Sequence, residues 1–206
     1  MSSALQPGPS EDGTAPPAAS PERPVIRVFI SSPGDVDLER KLTERVINRF
    51  QAKFAGRGTI EPYFWEYEPM SNSGTFQAQI PDCAGFDIVI CILWSRLGTP
   101  MIAPDGKRYR SGTEYEVLTS RAASLANGRP NLMIYLNTAP AQIRQFPDTE
   151  FERSIQQLRL VKEFIAEYCR DPETGENKGA YMTYAELGQF EELIERHLDR
   201  LFDEKL

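Results

Sequence analysis

Polar and aromatic side chains that can bind a ligand occur where predicted strands end or predicted helices begin. They are Ser31, Ser32, Asp35, Trp94, Ser95, Arg96, Thr113 and Glu116. In an open parallel sheet, ligands bind beyond the carboxyl ends of the strands, where backbone N–H groups at helix N-termini point outward. Hydroxyl, guanidinium and carboxylate groups at that edge can bond a polar ligand. These residues are therefore the candidate binding groups.

The first predicted strand leads directly to three of these groups. A β-branched run from Val25 to Ile30 is typical of a buried strand. A helix is predicted to begin in the turn that follows, with Ser32 as its cap, Pro33 in its first turn and Asp35 at capping-box spacing.

The next elements alternate between strand and helix. The uninterrupted apolar run over 87–94 predicts a strand covered on both faces. A helix over 113–126 and a strand over 131–136 follow it, and an earlier strand is predicted over 59–67, where Pro62 favours an edge position. This alternation predicts a doubly wound α/β fold with a mainly parallel sheet.

Composition and charge divide the chain into three predicted parts. Residues 1–24 are rich in Pro, Ser and Ala, which predicts a disordered tail of net charge −2. Residues 25–149 carry +1 and form the predicted α/β domain. Residues 150–206 carry −6 and predict an acidic helical extension packed on that domain, with two helices that begin at capping boxes around Thr149 and Thr183.

Several classes of protein are disfavoured by the composition. Three scattered cysteines and one histidine give no disulfide framework and no zinc-ligand spacing. A sequence pI near 4.9 argues against general nucleic-acid binding. The absence of a long apolar run or a signal-peptide pattern favours a cytoplasmic protein without a membrane span.

Three motifs resemble those of TIR-like (Toll/interleukin receptor-like) domains at the N-termini of large bacterial signalling NTPases. They are Val28–Ile30 followed by two serines, Asp87 opening an apolar strand, and Gly112-Thr113-x-x-Glu116 at a helix start. The last is also similar to nucleoside deoxyribosyltransferase-like proteins. The resemblance covers residues 25–140 and implies a flavodoxin-like arrangement with a C-terminal helical extension.

The resemblance implies an NAD glycohydrolase, which hydrolyses the bond between nicotinamide and ribose in bacterial immune or stress signalling. Glu116 is then the catalytic carboxylate beside an oxocarbenium-like transition state. The implied substrate-binding residues are Ser31, Ser32, Asp35, Trp94, Ser95, Arg96 and Thr113. NAD is the substrate, and no cofactor or metal is expected. Self-association, a larger signalling NTPase and another defence protein are the expected partners.

Other interpretations of the same residues stay open. The functional acid is Glu116 or its neighbour Glu114, and Glu116 can instead be only a first-turn acid that the helix dipole favours. Trp94 can be a core residue, and Ser31 and Ser32 can be only a cap. The chain lacks the tryptophan usual shortly before the family's glutamate, and carries Tyr109 and Tyr115 in that region. A non-catalytic signalling adaptor or a nucleotide-binding sensor is the alternative function.

Overall fold

A computed structural model describes residues 23–69, 71–72, 79–141, 147–171, 173–176 and 179–206. Strands and helices alternate along most of this length. In chain order they are β1 (Val25–Ser31), α1 (Asp37–Phe54), β2 (Thr59–Tyr63), β3 (Ile88–Leu93), β4 (Met101–Ile102), β5 (Arg108–Tyr109), α2 (Gly112–Asn127), β6 (Asn131–Asn137), α3 (Asp148–Cys169), β7 (Met182–Tyr184) and α4 (Leu187–Lys205).

The central sheet has five parallel strands in the order β2-β1-β3-β6-β7. This is the doubly wound, flavodoxin-like arrangement, and it confirms the predicted fold class. The chain turns from one side of β1 to the other between β2 and β3, which makes the carboxyl ends of β1 and β3 the topological switch point. The strands β4 and β5 form a separate antiparallel pair between β3 and α2.

Helices cover both faces of the sheet because alternate residues of each strand point to opposite sides. Val28 and Ile30 share a core with α1 and α4, whereas Cys91 and Leu93 share one with α2 and α3. All six residues of β3 are buried. Both faces of this strand are therefore covered, as its uninterrupted apolar run predicts.

The predicted start of α1 is wrong. The helix begins at Asp37 with Val36 at its N-cap and no side-chain cap bond. The expected capping groups bond elsewhere: Asp35 Oδ2 accepts from the backbone N–H of Ser95, and Ser32 Oγ accepts from Arg40. In this turn, hydrogen bonds to Ser95 and Arg40 therefore form in place of local capping bonds.

Residues 150–206 contain the two predicted helices, and they also contain a strand that the sequence does not predict. Thr183 lies in β7, where residues 182–184 pair with 135–137 of β6. Both predicted capping boxes are wrong, because α3 and α4 have Pro147 and Glu186 at their N-caps and no side-chain cap bonds. Three residues are too few to show a strand period. The division into domains stays a prediction.

The remaining predicted elements differ in length or fall outside the described residues. Strand β2 ends at Tyr63 and is followed by a short 3-10 helix over Trp65–Tyr67, and its edge position fits Pro62. The spacing of Phe76, Ile80 and Ala84 in the sequence also predicts a short helix before β3. Residues 73–78 lie outside the described residues, and Cys83–Gly85 form a 3-10 helix. Residues 1–22 of the predicted tail lie outside the described residues.

Candidate functional site

Ser31 and Glu116 meet at the topological switch point. Ser31 is the last residue of β1 and points to the face that α2 covers. Glu116 belongs to the buried stripe of α2, which has the spacing of one helix face: Thr113, Glu116, Val117 and Ser120. Ser31 Oγ donates a buried hydrogen bond of 2.7 Å to Glu116 Oε2. A carboxylate is therefore held at the carboxyl edge of the sheet, where ligands bind in this fold.

Glu114 has a different environment from Glu116. Its carboxylate accepts bonds from the backbone N–H of Arg110 at 2.6 Å and from that residue's guanidinium at 2.6 and 2.9 Å. Its own backbone N–H donates to Ser111 Oγ, the N-cap of α2. Glu114 thus fixes the loop before α2 to the first turn of the helix. This contact gives Glu114 a structural role.

The surroundings of Glu116 are poorly hydrated. Cys91 lies beside Ser31 in the sheet register and is fully buried, and the Cys83 thiol donates to the backbone carbonyl of Glu116 at 3.2 Å. Burial raises the pKa of Cys83 to about 12 and raises the pKa of Cys91 as well. Both thiols are therefore neutral at physiological pH, and neither is an activated nucleophile.

Asp35 and Ser95 form a second contact at the same edge of the sheet. Asp35 Oδ2 accepts from both the backbone N–H and the hydroxyl of Ser95, each at 2.9 Å. The other oxygen, Oδ1, is buried and has no hydrogen-bond partner among the described residues. A donor on a ligand could bond there, because a buried acceptor without a partner is costly.

A buried acid that the sequence analysis did not single out lies next to this contact. Glu39 on α1 is 4 % exposed, and its Oε1 accepts from Asn137 Nδ2 and from the Tyr184 hydroxyl, each at 3.0 Å. Burial, together with the charge of Glu39, raises the pKa of Tyr184. Asn137 directly follows the predicted strand over 131–136, so its position after a strand is the signal that could have identified it. Tyr184 lies on β7, which the sequence does not predict.

The other predicted binding residues do not gather around Glu116. Trp94 is half-buried and packs on the α1–α4 side, where its indole N–H donates to the carbonyl of Ala139 at 3.0 Å. Arg96 is exposed, and Ser32 is buried against Arg40. Of the eight candidates, Ser31 with Glu116 and Asp35 with Ser95 are the pairs joined by hydrogen bonds.

Thr113 is buried where the loop after β3 approaches the start of α2. Gly98 has a φ of +118°, and a Cβ at that position would lie 3.2 Å from the Cβ of Ser111. The positive φ therefore favours glycine, and the short distance leaves little space for a side chain. Gln157 of α3 accepts from the backbone N–H groups of Leu97 and Gly98 and donates to the carbonyl of Gly98. These bonds fix the loop to α3, while Gly98 itself lies close to the start of α2.

A scan against protein-family models finds no matching family, and a search of curated proteins finds no similar sequence. Within the described ranges, no group of three or more His, Cys, Asp or Glu side chains is arranged to hold a metal ion. No helix in those ranges has the length and apolar character needed to cross a membrane. The support for the candidate site therefore comes from the geometry of its residues and not from a relative.

Proposed function

We propose that this protein hydrolyses the N-glycosidic bond of a nucleotide, with NAD as the substrate and Glu116 as the catalytic carboxylate. The hydrogen bond from Ser31 to Glu116 at the switch point is the observation that supports it. The substrate identity comes from the TIR-like motifs of the sequence. The Glu114–Arg110 contact favours Glu116 over its neighbour, since Glu114 already has a structural role.

The proposed reaction needs few protein groups. The bond between C1′ of the ribose and the nicotinamide nitrogen breaks, its electron pair leaves with neutral nicotinamide, and the sugar becomes oxocarbenium-like. The Glu116 carboxylate stabilises this positive charge. The oxygen of a water molecule then bonds to C1′, and that water releases one proton to solvent as the hydroxyl forms. Ser31 orients the carboxylate. A poorly hydrated site strengthens the interaction between the carboxylate and the developing charge.

The proposed activity is regulated through the access of the substrate to Glu116. The residue is 5 % exposed, so the side chains around it must move before a substrate reaches it. Self-association is the event that we propose to drive this movement. Low turnover by dilute protein and higher turnover by concentrated protein follow from this arrangement.

The test compares nicotinamide release from NAD by the concentrated full chain and by its Glu116→Gln and Glu192→Gln variants. The glutamine at 116 keeps the size of the side chain and removes the charge. We expect it to lower the rate by about 10²-fold or more. Glu192 is an exposed acid on α4, and its variant should retain the wild-type rate. Thermal unfolding of each variant confirms that it is folded.

Two outcomes contradict the proposal. Turnover that survives Glu116→Gln removes Glu116 from the chemistry. Absence of turnover by the wild-type chain, even when it is fused to a trimeric coiled coil that enforces association, indicates a non-catalytic signalling adaptor instead.

A further inference from the structure

A cavity of about 490 Å³ lies between α3 and the carboxyl end of β6, and it does not include Ser31 or Glu116 in its lining. Its apolar walls come from both sides. Val161 and Ile165 of α3 face Leu136 of β6, and Trp94 closes one part of the wall. A volume of this size accommodates a small organic molecule.

The cavity is elongated along α3. Its lining includes residues of that helix from Leu158 to the residue that follows the helix, Arg170. Twelve residues of α-helix correspond to a length of about 18 Å. Trp94 is fixed at one wall by the hydrogen bond from its indole to Ala139. The shape fits an extended apolar chain better than a compact polar molecule.

The charges at this cavity have one sign. Lys162 and Arg170 are the charged residues among those that line it, and both are cationic. This is unexpected from composition, because residues 150–206 carry a net charge of −6. Lys162 makes no ion pair with any residue in the described ranges, and Arg170 donates to the Tyr181 hydroxyl at 3.0 Å. Two cations thus lie at an apolar cavity on an acidic segment.

We propose that this cavity binds an extended apolar carboxylate, such as a medium-length fatty acid, with its chain along α3 and its carboxylate at Lys162 or Arg170. Burial of the chain against the walls supplies most of the affinity, and a charge-assisted hydrogen bond selects the anion. The proposal is independent of the chemistry at Glu116.

The test is calorimetric titration of the full chain with decanoate, with decylammonium as a probe of the same length and opposite charge. We expect saturable binding of one decanoate per chain and much weaker binding of decylammonium. The double variant Lys162→Gln/Arg170→Gln should weaken decanoate binding by about tenfold or more. Arg159→Gln removes an exposed cation of α3 that does not line the cavity, and it should leave the affinity unchanged.

A second variant tests the cavity itself. Ala166 lines the cavity from an exposed helix position, so Ala166→Phe should fill part of the space while the protein remains folded, and should weaken decanoate binding. Equal affinity of the protein for decanoate and decylammonium would overturn the proposal. So would a loss of decanoate affinity in Arg159→Gln as large as that in the double variant, or undiminished decanoate binding in Ala166→Phe. A wild-type dimer that dissociates in Ala166→Phe would show that a second copy occupies the groove, and would also overturn it.

Discussion

Two glutamates that are two residues apart on α2 contact different parts of the molecule. Glu116 lies on the helix stripe that faces the sheet and meets a strand-end hydroxyl, whereas Glu114 turns to the preceding loop and binds Arg110. Helix geometry predicts that such neighbours face different sides. Which acid meets a cation could not be predicted, because Arg110 lies in a loop whose path depends on tertiary contacts.

Glu114→Gln should destabilise the fold. The carboxylate is 4 % exposed and accepts charge-assisted bonds from Arg110, and the neutral amide cannot replace all of them. We expect a loss of about 2 kcal/mol in the free energy of unfolding, measured by urea denaturation. Glu152→Gln changes an exposed acid on α3 and is the control. A loss equal to that of the control would show that the Arg110 contact contributes nothing.

His197 gives a prediction about pH. Its Nδ1 lies 2.8 Å from the hydroxyl of buried Tyr135, and burial, with a smaller effect of Arg196, lowers its pKa. Below the unfolded-state pKa of about 6.5, the unfolded chain therefore binds a proton more readily than the folded one. This histidine should make the protein less stable as the pH falls through that value.

The measurement is urea denaturation of wild type and His197→Gln at about pH 7.5 and pH 5.5. The wild type should lose more stability than the variant between these two values, since the glutamine does not titrate. Equal losses would show that His197 contributes nothing to the pH dependence.

At the scale of elements, α1 and α4 are joined by a ladder of ion pairs. Cations at every fourth position from Arg45 to Arg57 meet acids at every fourth position from Glu191 to Asp203. The pairs are Arg45–Glu191, Arg49–Glu191, Arg49–Glu195, Lys53–Asp199 and Arg57–Asp203. Four acids of the last quarter of the chain thus face a basic stripe on α1. The spacing of one helical turn on both helices explains the regularity.

Glu191→Gln should lower the free energy of unfolding by about 0.5 kcal/mol, because Glu191 pairs with both Arg45 and Arg49 in a partly exposed setting. Salt screens such pairs, so the loss should shrink as sodium chloride is raised to about 1 M. Urea is the suitable denaturant, since it carries no charge. Glu192→Gln is the matched control. A loss that does not depend on salt would contradict an electrostatic origin.

The elements differed in how far they could be predicted. Strand β3 was predicted within one residue at each end because its side chains are buried on both faces and form an apolar run. Strand β7 has three residues and depends on pairing with β6, so no local pattern marks it. The start of α1 was missed for the same reason, since the carboxylate of Asp35 bonds to a loop 60 residues away in sequence.

The whole molecule brings part of the predicted site together. Alternation along the strands places Ser31 on the α2 face, and Glu116 meets it there. Trp94 packs against the α1–α4 core and also lines the cavity at α3, and Glu116 belongs to neither set of residues. The strand order decides which strand ends are neighbours, and the sequence carries no direct record of that order. A candidate list taken from strand ends could therefore name the residues but not their grouping.

The central claim is that Glu116 performs chemistry at the switch point. The most direct measurement is the rate of nicotinamide release from NAD by concentrated wild-type protein, divided by the rate for folded Glu116→Gln. A ratio of about 10² or more is predicted. A ratio near one would contradict the account.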